Sequence, residues 1–237
     1  GRMADRVGRK RMLQAGTLLF LVGSLICAVS GSLGVLIVGR GVQGVGGALL
    51  IPSSLGILLA AFPDDRRNQA VAWNGAIGAL GVASGPTLGA FLVSGFGWRS
   101  AFWINVPICL LVAALAWRIV REPARRVTPR PDIAAAIVIT VGVAALVWGI
   151  ERTETHGWTD SSVLGLLAAA ALFGAVVAYR STHHDEPLLP PQMFRSRTFT
   201  VANLATFVFG AGFSANILNN VLFLRSVWHY SVVRAGL

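Results

Sequence analysis

Seven long apolar runs separated by short polar stretches set the pattern of this chain: residues 13–30, 34–61, 70–94, 101–119, 132–150, 162–179 and 199–223. Apolar side chains follow one another through each run without the strict alternation of a half-buried strand. Each run also far exceeds the roughly 9–11 residues with which a barrel strand crosses a bilayer. A helix needs about 20 mostly apolar residues for the same crossing, and it satisfies its backbone polar groups internally where there is no water to do so. The pattern therefore predicts an all-α membrane protein with about seven transmembrane helices.

Composition agrees. A soluble domain carries about a quarter charged residues; here 13% of 237 residues are charged and 54% are hydrophobic, with a mean hydropathy of +0.67. The 27 glycines suit helices that approach closely in lipid. A formal charge of +10 raises the question of nucleic acid, but the basic residues are scattered among short loops instead of forming one phosphate-binding patch. The expected partner is a lipid bilayer, with no nucleic acid. Cys27 and Cys109 lie in apolar runs without metal-ligand spacing and read as buried bystanders.

Charge adds an orientation. Segments 1–12, 62–69, 118–131 and 180–198 hold fifteen of the twenty basic residues, and 31–33, 95–100, 151–161 and 224–237 hold four. The positive-inside rule then places the N-terminal end in the cytoplasm of a multi-pass cell (inner) membrane protein, with Trp98, Trp158 and Trp228 near the outer ends. The first four runs are joined by short turns, whereas REPARRVTPRPD (121–132) and RSTHHDEPLLPPQMFRSRTF (180–199) are polar, proline-interrupted connectors. This sets the fifth and sixth runs apart as a pair and gives three expected regions: 1–120, 121–185 and 186–237.

Candidate chemistry begins in GRMADRVGRKRML (1–13), where Asp5 is the sole acid among Arg2, Arg6, Arg9, Lys10 and Arg11. Gly1 and Gly8 permit tight backbone turns, and Asp5 can hold ion pairs or cap a helix; a plain basic loop that fixes topology is the alternative. In the second run, IVGRGVQGVGGALLIP places Arg40, Gln43, Gly44, Gly46 and Gly47 on one helix. A charge at membrane depth costs several kcal/mol unless paired or hydrated, so Arg40 is either functional or snorkelling outward. In the third run Gly81, Gly85 and Gly89 recur every four residues beside Pro86, giving a flat face on a helix that Pro86 bends, or ordinary small-residue packing. In the seventh, Phe209, Phe213, Asn216 and Asn220 stack on one face. That stripe suits a lipophilic or cationic guest, or simply interhelical hydrogen bonding.

Other patterns fall away. GAGFSA (210–215) matches a loose dinucleotide fingerprint but follows no strand. His183, His184, Asp185 and Glu186 are adjacent in a proline-rich stretch and read as solvated, with the four histidines all expected in loops. No metal site, cofactor or catalytic constellation is expected, and the chain does not read as an enzyme.

The order G-x-x-x-D-R-x-G-R-K-x-x-L closely resembles the loop between spans two and three of major facilitator superfamily transporters, with Met3 at a usual leucine. R-x-x-Q-G-x-G-G resembles that family's fourth-span motif, and G-x-x-x-G-P-x-x-G its fifth-span antiporter motif, with Ala72 and Ala90 replacing glycines of the longer pattern. GWRSAFWINVPI (97–108), EPLLPPQMFRSRTFTVANL (186–204) and YSVVRAGL (230–237) resemble segments of the fourteen-span drug:proton antiporters, Val232 standing at a usual proline. The resemblance covers nearly the whole chain.

It implies part of a major facilitator fold, from before family span three to just after span nine, with the fifth and sixth runs an insertion between two six-helix halves. It implies a conformational latch at Gly1, Asp5, Arg6, Gly8, Arg9 and Lys10, proton coupling at Arg40, Gln43 and Gly44, and an antiporter hinge at Gly81, Gly85, Pro86 and Gly89. The implied activity is export of drugs or other small lipophilic or cationic molecules in exchange for protons, driven by the proton gradient. An importer or narrow-substrate exporter on the same fold, a membrane-embedded enzyme and a non-transporting scaffold are the alternatives. The chain starts without methionine inside a charged segment and is expected to be an internal piece, with the missing spans of the same transporter as partners. No run holds Asp, Glu, His or Lys well inside it, and Arg does not titrate. The titrating acid is therefore expected outside this chain, which is not expected to transport alone.

Overall fold

A computed structural model describes residues 2–120, 122, 132–184, 187 and 190–231. The elements are α1 (Arg2–Val7), α2 (Arg9–Ala28), α3 (Leu33–Ala61), a 3₁₀ turn (Asp64–Arg66), α4 (Arg67–Phe96), α5 (Ser100–Trp103), α6 (Asn105–Ile119), α7 (Ile133–His156), α8 (Ser161–His183), a second 3₁₀ turn (Pro191–Arg195) and α9 (Arg197–Ser226). Seven stretches are long and apolar enough to cross a membrane: Arg9–Ala28, Leu33–Ala61, Asp64–Phe96, Ser100–Ile119, Ile133–His156, Ser161–His183 and Arg197–Ser226. They coincide with the seven expected runs, and there is no strand among the described residues.

The ends differ from the sequence reading for local reasons. Residues 2–12 are not a loop: α1 and the first turn of α2 occupy them, separated only at Gly8, whose φ of 116° lies where a side chain is rarely tolerated. The run expected over 101–119 divides at Ile104, because Pro107 has no N–H to give the Trp103 carbonyl. α7 continues through Glu151, Arg152 and Glu154, and α8 through Arg180. Hence His156 and His183 are last-turn helical residues, not loop residues. Helix starts follow side-chain caps: Ser32 accepts from Val35 N, Asp132 from Ala135 N and Asp160 from Ser162 N.

The chain forms two compact units, residues 1–128 with 213–237, and residues 129–212; the division falls within α9. In the first, α2 and α3 meet through a ladder of glycines. Gly16 and Gly23 are two turns apart on α2, as are Gly39 and Gly46 on α3. A Cβ on Gly46 would sit 2.6 Å from the Phe20 backbone nitrogen, one on Gly23 2.6 Å from that of Gln43, and one on Gly39 2.6 Å from Cys27 Sγ. Both cysteines are free and buried. α6 also packs along α2.

In the second unit α7 and α8 form an antiparallel pair. Gly142 abuts Phe173, where a Cβ would be 2.9 Å away, and Gly149 abuts Leu166. A shallow apolar groove of about 320 Å³ runs between Ile139, Leu146, Leu167 and Gly174. A fork closes one end: Arg180 donates from Nε to Asp132 Oδ2 at 3.1 Å and from Nη2 to Oδ1 at 2.9 Å. His184 Nε2 stands 4.0 Å from the same carboxylate, and the His183 ring stacks on Tyr179 at 4.1 Å. Asp185 and Glu186 lie outside the described residues.

The Arg180 hydrogen bonds, then that from Ala135 N–H, hold the Asp132 carboxyl below the ordinary aspartate range. A depressed pKa means that the ionised form stabilises the pair at every pH above the unfolded value. That contribution is lost only as pH falls through the folded value, below about pH 4. Amide exchange over the first turns of α7 should therefore be flat from pH 7 to 5, after correction for intrinsic rates, and lose protection below 4. Asp132→Asn should show reduced protection throughout and no acid transition at this site.

Candidate functional site

The opening segment is held in place by its own charges. Asp5 Oδ1 accepts from Arg9 Nε at 2.7 Å, one helical turn on and across the break at Gly8. The other end of the same guanidinium donates through Nη1 to the Gly56 carbonyl, near the C-terminal end of α3. Arg9 thus ties α1 to α3 while sitting on α2.

Lys10 and Glu122 make a second tie. Gly8 stands at the N-cap of α2 and has no side chain to offer. A carboxylate from beyond α6 does the work: Glu122 Oε1 accepts from Lys10 N at 3.2 Å. In return Lys10 Nζ donates at 2.9 Å to the Trp117 carbonyl in the last turn of α6. The start of α2 is thus capped from the segment that follows α6, and the end of α6 from α2. A Cβ on Gly8 would lie 2.7 Å from Glu122 Oε1, so the glycine is required by its neighbour as well as by its φ. Arg6 is exposed, and Gly1 lies outside the described residues.

At membrane depth, about 10 Å along α3 from its start, Arg40 Nη1 donates to Gln43 Oε1 at 3.0 Å. Gln43 is 3% exposed and donates from Nε2 to the fully buried Ser24 Oγ of α2 at 2.6 Å. Asn105 Nδ2 of α6 donates to that same oxygen at 3.3 Å. No carboxylate bonds Arg40 among the described residues. A Cβ on Gly44 would meet nothing within 4 Å among the described residues, whereas Gly46, two residues on, packs against α2.

The other expected positions have fewer neighbours. Gly81, Gly85 and Gly89 follow one another up α4, with Pro86 inside the helix, and a Cβ on any of the three would meet nothing within 4 Å among the described residues. On α9, Asn220 Nδ2 donates to Asn216 Oδ1 at 3.0 Å, and Phe209 and Phe213 are exposed on the preceding turns. Near the opposite end of α2, Arg99 donates to the Ser30 carbonyl at 2.7 Å while lying over the Trp98 ring. Residues 210–215 are interior to α9, so the dinucleotide fingerprint has no strand–turn context.

Sequence reasoning brought Asp5, Arg9, Arg40 and Gln43 into view but missed Ser24, Gly56, Asn105 and Glu122. Ser24 and Asn105, polar residues inside apolar runs, carried a detectable signal; Gly56 and Glu122 did not.

Known proteins extend this. The chain is 33% identical over 238 residues to the tetracenomycin C resistance and export protein of Streptomyces glaucescens, covering 100% of the chain and 44% of that protein. It is 30% identical over 237 residues to multidrug resistance protein 3 of Bacillus subtilis, covering 100% and 46%. Against the methylenomycin A resistance protein of Streptomyces coelicolor it is 36% identical over 210 residues, covering 88% and 44%. The chain thus spans less than half the length of these relatives. The family model of the Major Facilitator Superfamily matches residues 1–237. With seven membrane-capable helices and that match from one end to the other, the chain belongs to the Major Facilitator Superfamily of membrane transporters.

Proposed function

We propose that the chain is part of a secondary active transporter of the cell membrane that exports lipophilic or cationic small molecules in exchange for protons. It works by alternating access, one half rocking against the other about a midplane site. Residues 1–120 complete the N-terminal six-helix half, 121–185 form a linker and an inserted helix pair, and 186–237 begin the C-terminal half. The N-terminal end is cytoplasmic, on the distribution of basic residues.

The observation that carries this reading is Arg40. A charge that cannot titrate is fixed by a buried amide at membrane depth, with no acid bonded to it among the described residues. Such a charge is costly unless something faces it. A proton-titrating carboxyl on another span is the partner that turns that cost into coupling. Gln43 and Gly44 belong to the same element, Gly44 leaving room on the helix face for the partner span. Asp5, Arg9 and Lys10, with Gly1, Arg6 and Gly8, latch one end of the assembly. The Gly81–Gly85–Pro86–Gly89 face is the hinge, and it supports export over import. Phe209, Phe213, Asn216 and Asn220 line the path of the substrate. No cofactor is needed, since the proton gradient supplies the energy.

Efflux of a fluorescent lipophilic cation from cells carrying the intact transporter should stop when the proton gradient is collapsed. Arg40→Ala should cut gradient-driven efflux at least tenfold at unchanged membrane abundance. Efflux indifferent to the gradient would leave a facilitator or non-transporting scaffold. Gradient-driven uptake would make it an importer.

A further inference from the structure

Three helices converge on one hydroxyl. Ser24 Oγ on α2 receives Gln43 Nε2 from α3 at 2.6 Å and Asn105 Nδ2 from α6 at 3.3 Å, and Gln43 presents its other end to Arg40 at 3.0 Å. Ser24 is wholly buried, Gln43 nearly so, and Asn105 half-buried. We infer that Ser24 and Asn105 are positioning residues that set the direction of the Arg40 guanidinium through the Gln43 amide.

The reason lies in donor and acceptor counting. A guanidinium only donates, so the end of Gln43 that faces Arg40 must be its oxygen. The amide nitrogen then points into α2, where a buried N–H needs an acceptor. Ser24 is that acceptor, but a hydroxyl can also donate. If it turned its proton toward Gln43, the amide would flip and set its N–H₂ against the guanidinium, donor against donor. Asn105 opposes this by bringing a second N–H to the same oxygen. With both lone pairs engaged, the Ser24 proton points away from both amides. The direction of the chain of bonds is thereby fixed, and among the described residues Arg40 has one end tied to Gln43 and no carboxylate on its remaining donors.

The same helices carry the segment at the opening of the chain. Arg9 and Lys10 lie on α2 about 20 Å from Ser24, and Lys10 grips the last turn of α6, the helix that bears Asn105. α3 receives Arg9 at Gly56 and bears Arg40. A shift of α2 against α3 or α6 as the opening segment engages or releases therefore alters the geometry at Ser24 and so redirects Arg40. Neither Ser24 nor Asn105 has to touch the transported molecule for this to happen.

The proposal's consequence for coupling rests on the exporter reading; its structural content does not. The deciding measurement is the rate at which phenylglyoxal modifies Arg40, followed by mass spectrometry on the intact transporter in nanodiscs. Ser24→Ala and Asn105→Leu should each raise that rate at least threefold, while Ser54→Ala, exposed on the helix that carries Arg40, should leave it unchanged. Should Ser24→Ala fail to fold, Asn105→Leu and the near-isosteric Ser24→Cys carry the comparison. An Arg40 rate unaltered in folded variants overturns the proposal. In the efflux assay the same variants should move the midpoint of the pH–rate profile by at least half a unit with KM held within twofold. If wild-type efflux ignores the proton gradient, the exporter reading fails, and the modification rates still decide whether Ser24 and Asn105 position Arg40.

Discussion

Gly46→Leu will drive α2 and α3 apart. A Cβ at this position lies 2.6 Å from the Phe20 nitrogen, 2.8 Å from the Gly16 carbonyl and 2.9 Å from Phe20 Cα, all of them backbone atoms. No rotamer relieves a clash made by the Cβ itself, and backbone inside a helix cannot step aside singly. The helices must separate along their length, which also pulls Gln43 off Ser24. Overpacking a tight core costs about 1–3 kcal/mol, and more where nothing can relax. The expected loss is therefore at least about 3 kcal/mol, read as a steep drop in the thermal midpoint in detergent and in membrane yield. Gly41→Leu is the control: it lies on the same helix, but its Cβ would meet nothing within 4 Å among the described residues. Equal damage from the two substitutions would mean that glycine content, and not the α2–α3 approach, governs stability.

Gly8→Val is the second large effect, and its two causes can be separated. A valine at φ 116° carries backbone strain of about 1–3 kcal/mol. It also pushes against Glu122 Oε1, the tip of a flexible side chain that can swing away at the cost of the cap it gives α2. The strain stays whatever Glu122 does. Glu122→Ala should therefore rescue Gly8→Val only slightly, and Glu122→Ala alone should weaken the structure by about 1 kcal/mol. If the exporter proposal holds, Gly8→Val in the intact transporter should reduce efflux at least tenfold, since Arg9 and Lys10 are both aimed by that bend. Full rescue by Glu122→Ala would show that crowding, and not the backbone, is what the glycine relieves.

The helices were legible because each is decided by a long apolar run, a property of consecutive residues. Their ends were less so. Glu151, Arg152 and Glu154 lower the hydropathy yet are good helix formers, so α7 runs on past the point where the apolar signal stops. Arg9, Lys10 and Arg11 do the same at the start of α2. The Asp5–Arg9 and Arg40–Gln43 pairs were within reach because four and three residues separate their members along a helix. Glu122 caps a helix 112 positions away, Asn105 meets Ser24 across 81, and Arg9 meets Gly56 across 47. No local pattern marks such partners, because packing chooses them. The glycine ladder lay between these cases. Its seven-residue spacing is present twice in the sequence, but only the facing of the two helices shows that Gly46 is buried and Gly44 is not.

The fork between Asp132 and Arg180 joins the N-cap of one helix to the last turn of the next. The hairpin thus supplies both halves of the ion pair at this end from its own two helices, and Asp132 needs no other element to offset its charge.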